Sequence, residues 1–189
     1  MAKSNLRYGF KKEAEDIALQ TRAELHLGLT DALDPFELAD YLGLVVMKLT
    51  SLSFTCEAEV VTLTTTFRGD FSAALIPNGE LIGLLVNDSH TIERQRASVT
   101  HECSHHLLGH EPQYHFTEHG LRELDPRIEE EADCLADLLL VPNDAVVSVM
   151  RKLDSIDDAA AHFGVSRQLM QKRYNLSGAA KRLNYTRSR

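Results

Sequence analysis

HECSHHLLGH, residues 101–110, places four histidines and one glutamate within ten residues. The apolar spacing from about Thr91 to Leu108 predicts a helix, with Gly109 as its C-terminal stop. Residues four apart on a helix differ by about 40° around the axis, so His101 and His105 project from one face. Two imidazoles so placed can hold one zinc ion, and Glu102 beside them is suited to act as base toward a water molecule. His106 lies about 140° from His101 and His110 about 180°, so neither shares that face. A third histidine ligand in the pattern HExxHxxGxxH would need glycine at 108 and histidine at 111. The chain has Leu108 and Glu111 there.

A catalytic zinc takes three protein ligands and keeps one position open, so a third donor is sought elsewhere. The best source is IEEEAD, residues 128–133, on a second predicted helix over 127–140 that is closed by Pro142. Glu129 and Asp133 are four apart and share a face, and Ala132 and Ala136 are small enough for close packing against the first helix. Glu129 is the expected third ligand, with Glu131 as the alternative. Asp133 is expected to accept the free N–H of a ligand histidine. Successive glutamates also suit a solvated helix start, which is the plainer reading for Glu130 and Glu131. The polar stretch 110–126 reads as a loop near the site, and Tyr114, His115 and His119 within it are candidates for stabilising a transition state.

Upstream, KEAEDIALQTRAELHLGL (12–29) has helical apolar spacing with Gly28 as a stop. DPFELADYLG (34–43) follows as a helix with Asp34 as N-cap, Pro35 at the first position and Gly43 at the end. Four segments then read as strands: 44–49, 59–67, 70–76 and 80–87, with Arg68-Gly69-Asp70 and Pro77-Asn78-Gly79 as turns. The expected fold is α+β and zincin-like. It has N-terminal helices, a small, mostly antiparallel sheet of three or four strands, the two site helices and a C-terminal helix-turn-helix-like segment. The expected division is 1–145 for the catalytic body, 146–176 for a helical extension packed on it, and 177–189 for a flexible basic tail.

The 189 residues, 43% hydrophobic and 25% charged, suit one soluble globular unit with a core of its own, so metal is not needed merely to fold it. No apolar run approaches the roughly 18 residues of a membrane span, and MAKSNLRYGFKKEAED lacks the apolar stretch of a secretory signal. Three cysteines, Cys56, Cys103 and Cys134, form no CxxC pair and suit a reducing compartment; the expected location is cytoplasmic. The net charge of −8 is uneven. Residues 167–189 hold seven basic and no acidic side chains, and the remainder holds 13 basic and 28 acidic. An acidic body does not suit a general nucleic-acid binder.

ERQRASVTHECSHHLLGH (93–110), IEEEADCLADLLLVP (128–142), DPFELADYLGLVV and a strand ending in LLVN together resemble the ImmA/IrrE family of zinc metallopeptidases, over roughly residues 13–176. The resemblance implies a gluzincin-type site with His101, His105 and Glu129 as zinc ligands and Glu102 as base, Mn²⁺ being an admissible substitute. It also implies a protein substrate, a helix-turn-helix repressor or antitoxin, cut in a stress- or mobile-element-linked regulatory switch. Cys103 and Ser104 stand where family members often have leucine and glycine, and Cys134 where an aromatic is often near. Cysteines flanking a zinc site suggest a redox sensor, against the plainer role of small buried hydrophobes.

IDDAAAHFGVSRQLMQKRYNL (156–176) reads as helix, glycine turn and helix, with Ser166 capping a helix that carries Arg167, Gln168, Lys172 and Arg173. A DNA-binding regulator with a structural or weakly active metal site is therefore the alternative function. A third reading is a partner-binding protein, such as the toxin of a toxin–antitoxin pair, with KRLNYTRSR as docking arm.

Overall fold

Capping side chains start most of the helices where the sequence offers them. A computed structural model of the chain describes residues 5–111, 125–153 and 155–187, and of 184–187 the backbone alone. Helix α1, Phe10–Glu24, buries Phe10, Ala14, Ala18, Thr21 and Arg22 along one face. It ends before Gly28 because His26 adopts the left-handed conformation, φ 58. Leu27 N–H then reaches back to Arg22 O at 2.9 Å. A side chain at that φ costs about 1 kcal/mol, and Arg22 supplies the compensation. Its fully buried guanidinium donates to Leu139 O at 2.8 Å and to Gly28 O and Asp31 O at 2.9 and 2.5 Å. Arg22→Met should therefore leave three carbonyls without their donor and destabilise the fold by about 3 kcal/mol. An unchanged denaturation midpoint would contradict that.

Helix α2, Pro35–Tyr41, has its Asp34 cap bonded to Phe36 N–H at 2.9 Å. Gly43, at φ 72, ends it and leads into β1, Leu44–Lys48. A 3-10 turn, Leu49–Phe54, follows, then α3, Glu57–Thr64. This corrects the strand expected over 59–67. The β-branched run favours a strand locally, but the threonines bond back into the helix, Thr62 and Thr64 to Ala58 O and Val60 O, and Thr65 just past its end to Val61 O. Glu57 and Glu59 sit in its first turn, where the helix dipole favours them.

The sheet has the order β1-β3-β2, with β2 at Ala73–Asn78 and β3 at Leu81–Val86. β2 and β3 form an antiparallel hairpin across Gly79, φ 63, with Leu75 opposite Leu84; β1 joins parallel, Val46 opposite Leu84. Pro77 is tolerated because β2 is an edge strand.

Helix α4, Ile92–Leu107, is capped by Thr91, and α5, Pro126–Leu140, by Asp125 with Pro126 in the first turn. They pack on each other, and Cys103 of α4 and Ala132, Leu135 and Leu139 of α5 are fully buried. Helices α6, Asn143–Met150, α7, Ile156–Phe163, and α8, Arg167–Leu176, come next; Gly164, φ 64, makes the α7–α8 turn. The stretch expected as a flexible tail forms α9, Ala179–Arg187, with Ala179 fully buried. One buried cluster runs from Phe10 through Leu84 and Val99 to Phe163 and Met170. None of the described helices is long and apolar enough to cross a membrane.

Candidate metal centre

The register of α4 against α5 brings the separate halves of the site together. His101 and His105, one turn apart, direct their Nε2 atoms to within 3.0 Å of each other. From α5, Glu129 places Oε2 3.3 Å from His101 Nε2 and Oε1 3.6 Å from His105 Nε2. One ligand atom from each of the three residues lies within 4.8 Å of the others. Among the described residues this is the one group of three or more His, Cys, Asp or Glu that meets that geometry.

Asp133, one turn beyond Glu129, accepts from His101 Nδ1 at 2.9 Å. That bond fixes the hydrogen on Nδ1 and leaves the Nε2 lone pair of neutral His101 pointing at His105 and Glu129. A lone pair aimed at a second imidazole nitrogen and a carboxylate is a donor arrangement that a divalent cation stabilises. Two nitrogens and one carboxylate suit zinc, with manganese admissible.

Glu102 is 7% exposed, and its Oε2 accepts the backbone N–H of Leu75 in β2 at 3.2 Å. An N–H spent on Glu102 is directed away from β3, so the edge of β2 faces α4 and holds this carboxylate beside the two histidines. Glu102 also contributes to the electrostatics of His101.

Burial opposes a charge on His101, but the hydrogen bonds to Asp133 and Glu129, together with the charge on Glu102, outweigh it and raise its pKa to about 10. The bonds to His101 and then His105 hold Glu129 far below the usual carboxylate range, and His101 lowers Asp133 as well. A histidine raised from its unfolded value of about 6.5 contributes stability in full below that pH and loses it as pH rises through its folded value. The chelated protein should therefore lose stability between about pH 6.5 and 10 relative to chelated His101→Gln. Parallel melting-temperature profiles for the two would refute that origin.

The structure brings His110 and Arg7, which the sequence did not assign to the site, up against Glu131. His110 sits just past α4 with Nδ1 3.0 Å from His105 Nδ1, and its Nε2 faces Glu131 Oε2 at 3.6 Å. Glu131, the alternative ligand of the sequence reading, is 6% exposed and does not join the three converging donors. Arg7 Nε stands 3.2 Å from its other oxygen. The signal for His110 was Gly109: at φ 63 it bends the chain back, where an extended helix would have carried His110 to the opposite side.

Tyr114, His115 and His119 lie outside the described residues. Cys103 is fully buried and its thiol is pushed up to about 12 by that burial; Cys134 is raised by burial too. Thiols held protonated are poor nucleophiles, which favours the plainer role of small hydrophobic side chains for both.

A family model described as the IrrE N-terminal-like domain, peptidase family M78, matches residues 39–175. No curated protein matches the chain.

Proposed function

Since the chain belongs to the IrrE N-terminal-like family of metal-dependent peptidases, we propose that it is a zinc endopeptidase whose substrate is a helix-turn-helix repressor or antitoxin, cut within a regulatory switch. The observation that carries the catalytic part is the convergence of His101 Nε2, His105 Nε2 and the Glu129 carboxylate beside a buried Glu102. His101, His105 and Glu129 would hold the metal. When bound, zinc supplies Lewis acidity that polarises the scissile carbonyl and acidifies water.

The rest of the work falls to the chain. Glu102 takes a proton from the attacking water and passes it to the leaving amide nitrogen, so that the C–N bond breaks with a neutral amine as product. Leu75 N–H binds one Glu102 oxygen and so orients the other for that transfer. Asp133 keeps His101 in the tautomer that faces the centre.

The DNA-binding alternative is weakened by what the basic side chains of α8 already touch. Arg167 pairs with Asp157 at 2.9 Å and Lys172 with Asp137 at 2.8 Å. Arg173 is buried, bonded to Val141 O and Asn143 Oδ1. The α7–α8 turn is itself tied down, since Gly164 O accepts from Arg96 Nε of α4 at 2.9 Å. A helix so engaged has little left for phosphates or base edges.

The test is incubation with purified helix-turn-helix repressors encoded beside the gene. The expected result is a discrete pair of fragments from one of them, abolished by a chelator and restored by Zn²⁺. Fragments that persist under chelation would overturn the metallopeptidase reading, and resistance of all those repressors would overturn the substrate.

A further inference from the structure

His110 and Glu131 have no place in the proteolytic chemistry, yet both are largely buried and aligned on the far side of a metal-ligand histidine. Gly109 N–H bonds His106 O at 3.1 Å, and His110 N–H bonds His105 O at 3.0 Å. These are the two bonds of a left-handed helix cap, and they lay the His110 ring against that of His105, centroids 5.1 Å apart. The side chains of His110 and Glu131 are 11% and 8% exposed. Such groups hold their geometry rather than sampling solvent.

The positions of the ring hydrogens follow from what each nitrogen faces. Two Nδ1 atoms 3.0 Å apart share a single hydrogen between them. A carboxylate only accepts, so the hydrogen of neutral His110 belongs on Nε2, toward Glu131. His110 Nδ1 then accepts from His105 Nδ1–H. His105 is left with its lone pair on Nε2, facing His101 Nε2 and Glu129. The reverse placement would put a hydrogen on His105 Nε2, inside the donor set.

We propose that Glu131, in polar contact with His110 Nε2 at 3.6 Å, and His110, hydrogen-bonded to His105, form a relay that holds His105 in the tautomer required for metal binding, as Asp133 does directly for His101. The relay rests on the metal-centre reading above. Glu131 and His110 are positioning residues: they act through His105. Arg7 contributes by pairing with the second oxygen of Glu131, which accepts no hydrogen bond among the described residues. That pairing favours an oxygen on the Arg7 side at position 131.

The proposal is tested by Zn²⁺ affinity of the full chain, read by competition with a chromophoric chelator, and by the imidazole ¹⁵N–¹H correlation spectrum of the zinc-loaded protein. His110→Phe removes the acceptor and should weaken Zn²⁺ binding about 10- to 100-fold. His110→Asn keeps an acceptor oxygen near the place of Nδ1 and should restore most of that loss. Glu131→Gln is isosteric, but with its oxygen toward Arg7 it turns an N–H to His110; it should weaken binding about 10-fold or more and remove the His105 Nδ1–H signal. Wild-type affinity in His110→Phe or in Glu131→Gln would overturn the relay, as would a His110→Asn protein no better than His110→Phe. Should His110→Phe fail to fold, Glu131→Gln and the His105 Nδ1–H signal decide alone. A wild-type chain that binds no Zn²⁺ would overturn the metal-centre reading itself.

Discussion

Glu102→Gln should bind Zn²⁺ as tightly as the wild type and lose about 10²- to 10⁴-fold in peptidase turnover, the range that a positioned general base contributes. The substitution keeps the shape of the side chain and an oxygen that can accept Leu75 N–H, so the local structure has no reason to change. What it removes is the ability to take a proton. The loss should fall on turnover, since the substrate is held by other groups, while a loss confined to KM would point to a binding role for Glu102. Equal turnover in the two proteins would refute the mechanism.

The second large effect is expected at Glu129. Glu129→Gln exchanges a carboxylate for a neutral amide between two histidines, and its effect on Zn²⁺ affinity should exceed the roughly 10- to 100-fold typical of groups that only orient a ligand. The same change should abolish the stabilisation by added Zn²⁺ that the wild type shows in thermal unfolding, because a ligand stabilises the folded state only as far as it binds it. Retention of that zinc-dependent shift would assign the third ligand elsewhere. Glu131→Gln is the comparison: it should weaken the shift and leave it measurable.

Helix period alone was enough to pair His101 with His105 and Glu129 with Asp133, because both pairs lie within single unbroken helices, where 3.6 residues per turn fixes direction. The same rule misplaced His110. It assumes that the helix continues, and one left-handed residue at Gly109 reverses the chain. Position 131 was ambiguous for a related reason. Three glutamates in one turn point three ways, and only the packing of α5 on α4 decides which of them meets the histidines and which is buried against His110 and Arg7.

In α3 the error was one of kind. Val60, Val61 and the threonines satisfy the pattern of a strand, but β3 already has β1 and β2 on its two sides, and the hydroxyl groups find acceptors within the helix. Local preference yielded to its surroundings, as strand propensity commonly does. The inward-turned arginines could not be anticipated either. Nothing in the sequence singles out Arg22, Arg96 or Arg173 for the interior; Arg22 and Arg173 are buried and Arg96 is half-buried, each bonded to backbone carbonyls from segments distant in sequence.

Those three arginines bear on how far the gene can be trimmed. Arg96 leaves the metal-bearing helix to hold Leu33 O on one side and the Gly164 turn on the other, and Arg173 returns from α8 to the chain at Val141, just past the end of α5. A fragment stopped after α5 would retain every residue assigned to the chemistry, yet it would bare the surfaces that Phe163, Val165 and Met170 cover and strip the Arg173 donor from Val141 O. The smallest unit expected to be expressed as a working peptidase therefore runs at least to Leu176, well past its last metal ligand.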